Sequence, residues 1–312
     1  MGFFTADELA SAASESGIIY PQFVLDQLVA AIEAGKHVVL TGPPGTGKTT
    51  LAYLAAEVGQ RALLCTGFLP TTATSEWTTF ETIGGFQPTA DGFIFRPGLF
   101  IEAIETGRWL VIDELNRSNF DRAFGQLFTV MSGQPVVLPF KRAGKTSPIS
   151  VVPYGVEPPD DTDVIRVPPI WRIIATMNVF DKNLLFDMSY ALMRRFAFIE
   201  VTSPEPEDFE RLLEIPGGEL VRTLLPLRQF RDLGPAVYLD SCRYAARRSR
   251  DDVTESRLIY EIFYGFFLPQ FEGMDEARAV QLHKVVSAVL DEPEQVEANR
   301  TIAEVLGLDM TL

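Results

Sequence analysis

Gly42-Pro43-Pro44-Gly45-Thr46-Gly47-Lys48-Thr49 fits the phosphate-cradling spacing G-x-x-x-x-G-K-[ST] at every fixed position. The residue types suit the chemistry. A polyphosphate needs several N–H donors converging on a small volume. Glycines let the backbone bend close to it, and the first turn of a following helix supplies unpaired amides. Lys48 is placed to reach the β and γ phosphates, Thr49 to offer its hydroxyl to Mg²⁺, and Thr50 continues the same turn. A second group lies downstream, where the apolar run Trp109-Leu110-Val111-Ile112 ends in Asp113 and Glu114. Strands of a parallel sheet point their carboxyl ends at the ligand crevice, so this pair is expected beside the phosphates. Asp113 would hold the Mg²⁺ shell, largely through water, and Glu114 would orient and polarise an attacking water. Ile174-Ala175-Thr176-Met177-Asn178 is another apolar run with a polar end, which puts Asn178 in line to bridge that water and the γ phosphate. Arg194 and Arg195 close a helix expected to begin near Lys182. An arginine there is favoured by the helix dipole, and phosphoryl transfer commonly takes an arginine from a neighbouring subunit.

These residues need a scaffold. His37-Val38-Val39-Leu40 is a short apolar run before the loop, and Leu51, Leu54, Ala55 and Val58 recur at helical spacing after it. Upstream, Pro21 to Ala34 reads as an amphipathic helix through Val24, Leu25, Leu28, Val29 and Ile32, stopped by Gly35. Further strands are expected at Ala62-Leu63-Leu64-Cys65, Trp109 to Ile112, Ile173-Ile174-Ala175 and Ala197-Phe198-Ile199. Helices between them imply an α/β parallel sheet covered on both faces. Phe120, Phe124, Leu127, Phe128 and Met131 fall on one helical face and belong to the core. Thr79 to Phe95, with alternating apolar residues and glycines, predicts a small hairpin carrying Phe86, Phe93 and Phe95. The Pro-rich stretch from Met131 to Trp171 predicts a second hairpin, through Val136-Val137-Leu138 and Ile149 to Val152, with Lys141, Arg142 and Lys145 at a long tip. After Ser203-Pro204 strand-like runs give way to helical patterns at Phe209 to Leu213, Val237 to Arg247 and Ala279 to Leu290. The expected domains are therefore 1–203, nucleotide-binding, and 204–312, helical.

The chain of 312 residues is 46% hydrophobic and 22% charged, with a net charge of −15. That balance excludes non-specific nucleic-acid binding over the whole surface and leaves the Lys141, Arg142 and Lys145 cluster as the local basic patch for DNA or an acidic polypeptide. Cys65 and Cys242 are too few and too far apart for a disulfide framework, and His37 and His283 too scattered for a metal cluster. No apolar run is long enough to cross a bilayer, so the expected location is cytoplasmic.

The phosphate loop, Asp113-Glu114, Asn178 and Arg194/Arg195, in this order before a helical region, resemble an AAA+ ATPase. More narrowly, Thr79 to Gly98, Asp113-Glu114-Leu115-Asn116-Arg117, Thr176-Met177-Asn178, and Asp187 through Ala191-Leu192 to Arg194-Arg195-Phe196 resemble the McrB, MoxR and dynein-related branch, a likeness reaching over roughly residues 17 to 250. The resemblance implies a P-loop NTPase sheet sandwiched by helices, an insert in helix 2, a hairpin before the sensor-1 strand, and a C-terminal all-helical lid. It implies ATP with Mg²⁺, GTP being the alternative nucleotide. It also implies a homo-oligomeric ring, usually a hexamer, in which Arg194 and Arg195 act on the neighbour's nucleotide. Such a ring remodels or translocates a partner protein or DNA, commonly with a separately encoded effector or adaptor. Two alternatives stay open: a McrB-type GTPase motor of a restriction or defence complex, and a nucleotide-gated assembly scaffold. MoxR relatives carry an arginine sensor shortly after a lid glycine, whereas Gly234-Pro235-Ala236-Val237 has none and Arg243 is the nearest substitute.

Overall fold

In β1 (His37–Gly42) the apolar residues Val38, Val39 and Leu40 are wholly buried, as a strand covered on both faces requires. A computed structural model describes residues 4–90, 92–178 and 193–307; for Phe120 and Asp121 it describes the backbone. β1 pairs in parallel with β10 (Phe196–Glu200) on one side and with β9 (Ile173–Asn178) on the other. β9 also pairs with β5 (Trp109–Asp113), and β5 with β2 (Phe68–Thr72), giving one parallel sheet in the order β10-β1-β9-β5-β2. The order matters for function: β9 runs between the strand that enters the phosphate loop and the strand that ends in the carboxylates. His37 opens β1 and accepts the Ile173 amide on Nδ1 (3.0 Å). Burial, reinforced by the Arg172 charge, pulls its pKa down to about 3, so the ring is a neutral structural link.

Contacts divide the chain into two compact units: Met1–Ser16, Gln22–Gly42 and Lys48–Val201 form the first, and Gly17–Pro21, Pro43–Gly47 and Thr202–Leu312 the second. In the first, α1 (Ala6–Glu15) starts on a capping box, with Thr5 and Glu8 exchanging side-chain and backbone bonds. α2 (Gln22–Glu33) buries Val24, Leu25, Leu28 and Ile32, and α3 (Lys48–Arg61) buries Leu51, Leu54, Ala55 and Val58. The expected strand at Ala62 to Cys65 is absent. Leu63 sits in the left-handed region (φ 59°) in the turn that ends α3, and the second strand is β2 instead. Pro70 disguised it: a strand carrying proline reads poorly, yet β2 is an edge strand with one neighbour, where the missing N–H costs no ladder bond.

The first insert is a hairpin of β3 (Gly84–Thr89) and β4 (Gly92–Pro97). Phe86 and Phe95 both pack on Phe140, while Phe93 projects, 73% exposed. The second insert is more than the expected hairpin. β6 (Val136–Val137) pairs antiparallel with β7 (Ile149–Pro153), but β7 also pairs in parallel with β8 (Asp163–Val167), making three strands. β8 was hidden because Asp163 and Arg166 interrupt its short apolar run, which lies at the edge of a small sheet. The single helix expected from Phe120 to Met131 is two, Phe120–Phe124 and Leu127–Met131, broken at Gly125. Gly125 has φ 47°, and a Cβ there would lie 2.6 Å from the Thr79 methyl, so the break is both conformational and steric. Phe124 and Leu127 are buried as expected, with Phe128 and Met131 packed beside them. The helix expected from Lys182 lies largely outside the described residues.

In the second unit, helices Pro206–Leu212, Pro235–Arg248, Glu255–Ile262, Glu276–Ser287 and Glu292–Leu306 enclose their own core of Phe209, Tyr238, Phe263, Phe267, Phe271, Leu282 and Ile302. Among the described residues after Val201 there is no strand.

Candidate nucleotide site

Lys48 and Thr49 open α3, directly after the loop that leaves β1. Gly45 and Gly47 take φ 78° and 83°, conformations that side chains resist, so the loop's path depends on their lacking a Cβ. Lys48 is 7% exposed and donates through Nζ to the Gly42 carbonyl (3.0 Å). Burial pulls its ammonium down to about 8, while Asp113 and Glu114 pull the other way. The lysine is thus a poorly solvated cation held beside two carboxylates, and a polyphosphate would restore much of the stabilisation that burial removed.

The strand order then brings the carboxylates to α3. Asp113 Oδ1 accepts from the Thr49 hydroxyl (2.7 Å) and from the Thr176 hydroxyl. Thr176 is 1% exposed, and its oxygen in turn accepts the Glu114 amide (3.1 Å). Glu114 takes φ 51° and ψ 47°, a left-handed conformation costing a non-glycine residue roughly 1–2 kcal/mol. That twist ends the strand and turns the carboxyl group: Oε1 faces Asn178 Nδ2 at 3.5 Å, at the outer limit of a hydrogen bond, and Oε2 pairs with Arg117 Nε at 2.6 Å. Asn178 is level with Gly42 across β1 and β9.

Lys48, Thr49, Asp113, Glu114 and Asn178 therefore converge. Thr176, to which the sequence assigns no role of its own, joins them as the link between Asp113 and Glu114. Its signal was a hydroxyl inside the buried run Ile173 to Met177, where a polar group must find a partner. The donor set around Thr49 and Asp113 is hard oxygen only, suited to Mg²⁺ that keeps waters and takes its other ligands from phosphate. Among the described residues no three His, Cys, Asp or Glu side chains gather as a self-sufficient metal site.

Loop residues Pro43, Pro44, Gly45, Thr46 and Gly47 group with the second unit. Thr46 closes the loop on itself, donating to the Pro43 carbonyl (3.0 Å). Arg194 and Arg195 are not near the carboxylates. They precede β10, and their carbonyls accept from Lys36 Nζ (3.0 Å) and the His37 amide (3.1 Å). This is the amino end of the sheet, a strand length of roughly 17 Å from the carboxylate end at about 3.3 Å per residue. Arg142 is held by Glu105 and by Asp163 (3.1 Å), which leaves Lys141 and Lys145 as the exposed cations of its cluster.

A parallel sheet that carries a glycine loop, a helix-borne Lys-Thr and a carboxylate pair at its carboxyl end, followed by a helical region, defines a P-loop nucleotide-binding fold with an AAA+ core. The pattern of the AAA domain (dynein-related subfamily) matches residues 37–196, half of the chain. The chain belongs to that family, in the McrB- and MoxR-like branch of AAA+ proteins. It is 29% identical over 195 residues to the Type IV methyl-directed restriction enzyme EcoKMcrB subunit of Escherichia coli K12, covering 59% of this chain and 39% of that subunit. It is also 28% identical to an uncharacterized protein of Staphylococcus epidermidis ATCC 12228 and 27% identical to one of Staphylococcus aureus USA300, over 58% and 57% of this chain. The matches span 39% to 60% of the length of these relatives. No described helix is long and apolar enough to cross a membrane.

Proposed function

We propose that this chain is an ATP-hydrolysing ring subunit that remodels or translocates a partner macromolecule. The observation that carries the reading is the single oxygen of Asp113 shared by Thr49 and Thr176, with Glu114 poised next to Asn178. In this reading residues 1–203 form the nucleotide domain and 204–312 the lid. Gly42 to Thr50 would hold ATP, Thr49 and Asp113 would hold Mg²⁺, largely through water, and Lys48 would neutralise the β and γ phosphates. Bound Mg²⁺ would supply charge neutralisation across the phosphates. Glu114 accepts a proton from the attacking water while Asn178 keeps that water in line. For this carboxylate to act, the Arg117 pair must loosen; Arg117 is 62% exposed, so the pair is weakly held in water. Placement of Arg194 and Arg195 at the far end of the sheet favours action on a neighbouring subunit, which makes a homo-oligomeric ring, a hexamer by family habit, the active form. A separately encoded effector or adaptor would select the target.

Glu114→Gln tests the assignment: the variant is expected to bind ATP and to release phosphate at least 100-fold more slowly. Hydrolysis at the wild-type rate would overturn it.

The likeness to a restriction-enzyme subunit favours a second reading, a GTP-driven motor that acts with DNA, in which exposed Lys141 and Lys145 touch the phosphate backbone. Competition of ATP against GTP for the purified protein separates the two. A scaffold that assembles on nucleotide without turnover would show binding and no phosphate release.

A further inference from the structure

Two hydrogen bonds hold the phosphate loop from outside. The Gly47 carbonyl accepts from the Tyr20 hydroxyl (2.8 Å), and the Gly45 carbonyl accepts from the Ala236 amide (3.2 Å). Each carbonyl shares a rigid peptide plane with the next residue's amide, and the two groups point in opposite directions. Fixing the Gly45 carbonyl therefore aims the Thr46 amide away from Ala236, and fixing the Gly47 carbonyl aims the Lys48 amide away from Tyr20. Because both residues are glycines, these planes could otherwise rotate at little cost. The fit around them is close. Tyr20 is 7% exposed, and a Cβ on Gly47 would come within 2.6 Å of its hydroxyl oxygen. Gly234 lies so near the Gly45–Thr46 peptide that an added Cβ would collide with the Gly45 carbonyl group. Ala236 follows Pro235 in the first turn of helix Pro235–Arg248, so its amide is one of those a helix leaves unpaired, and it is used on the loop. That use also fits the sequence: the segment Gly234-Pro235-Ala236-Val237 reaches the loop through its backbone and carries no arginine to do so.

We propose that Tyr20 and the Gly234–Ala236 turn are positioning groups for polyphosphate binding, which hold the Gly47 and Gly45 carbonyls so that the Lys48 and Thr46 amides are presented to the phosphates. The proposal rests on the nucleotide-binding reading of the loop. It adds that affinity for the phosphates is set from two segments outside the loop: the 17–21 segment before α2 and the start of helix Pro235–Arg248, both grouped with Pro43–Gly47 in the second unit. Whatever displaces either segment weakens the nucleotide through the same two planes.

The test uses the full chain with Mg²⁺ and fluorescent N-methylanthraniloyl ATP and GTP, with inorganic triphosphate and adenosine as competitors. Tyr20→Phe removes one hydroxyl and keeps the ring packed. It is expected to raise the Kd for the nucleotide and for inorganic triphosphate by about 3- to 10-fold, the range of one hydrogen bond. Competition by adenosine should stay unchanged, and KM should rise by more than kcat falls. Gly234→Ala, which presses on the other plane, is expected to raise the same two constants by at least 10-fold, and it carries the test should Tyr20→Phe fold poorly. A role in folding alone would lower the melting temperature and leave triphosphate affinity where it was; that result in both variants overturns the proposal. A wild-type protein that binds neither labelled nucleotide overturns the nucleotide reading itself, and the positioning role with it.

Discussion

Replacing Thr176 by valine removes one hydroxyl and keeps shape, branching and strand preference. That hydroxyl donates to Asp113 and accepts the Glu114 amide at 3.1 Å, so both carboxylate residues lose a fixed partner at once. A hydrogen bond to a charged acceptor contributes about 1.5–3 kcal/mol, and an amide left without a partner costs about 1–3 kcal/mol. Because the two share one atom their costs are not additive, and a total of about 2–4 kcal/mol is expected. Spread over a unit of this size it corresponds to a fall in melting temperature of about 5–15 °C. If half of that energy is also lost in the transition state, kcat falls by about 5- to 30-fold, since each 1.4 kcal/mol is a factor of ten. Thermal unfolding without nucleotide and steady-state phosphate release read the two effects separately. Thr176→Ser keeps the hydroxyl and should recover most of both. Valine at the wild-type rate would refute the argument, and so would serine as impaired as valine, because the methyl group and not the hydroxyl would then be the important part.

Glu114 gives a test of strain. With φ at 51°, glycine is better suited than alanine there, so Glu114→Gly should melt about 2–4 °C above Glu114→Ala, though both lack the carboxylate and both are expected to lose hydrolysis. Equal melting temperatures would show that the left-handed turn carries no cost. Lys48 gives a test of burial. A lysine whose folded pKa is lowered from 10.5 to about 8 burdens the folded state fully below pH 8, and the burden disappears as pH rises towards 10.5. The stability of wild type relative to Lys48→Met should therefore rise by roughly 3 kcal/mol between pH 7 and 10.5, measured by denaturant unfolding without nucleotide; a gap that does not vary with pH would contradict it.

Chemistry carried by neighbouring residues was readable along the chain. Gly42 to Thr49 must bend tightly and then start a helix, and those demands fall on consecutive positions. Asp113 and Glu114 are announced by the apolar run that ends in them. Local reading failed where a residue's environment overrode its type. Pro70 is tolerated because β2 is an edge strand, Leu63 is turned out by the end of α3, and the charged residues of β8 lie along a small sheet.

Residue types and spacing alone show a loop with phosphate-cradling spacing, a carboxylate pair and a polar strand end in one α/β chain. Their convergence is decided elsewhere. Thr176 meets Asp113 across 63 residues, because β9 is inserted between β1 and β5, and Tyr20 meets Gly47 across 27. A motif encodes the backbone angles of its own residues. The partners that aim those residues are chosen by which strands and helices pack side by side, and that follows from burial of the whole core.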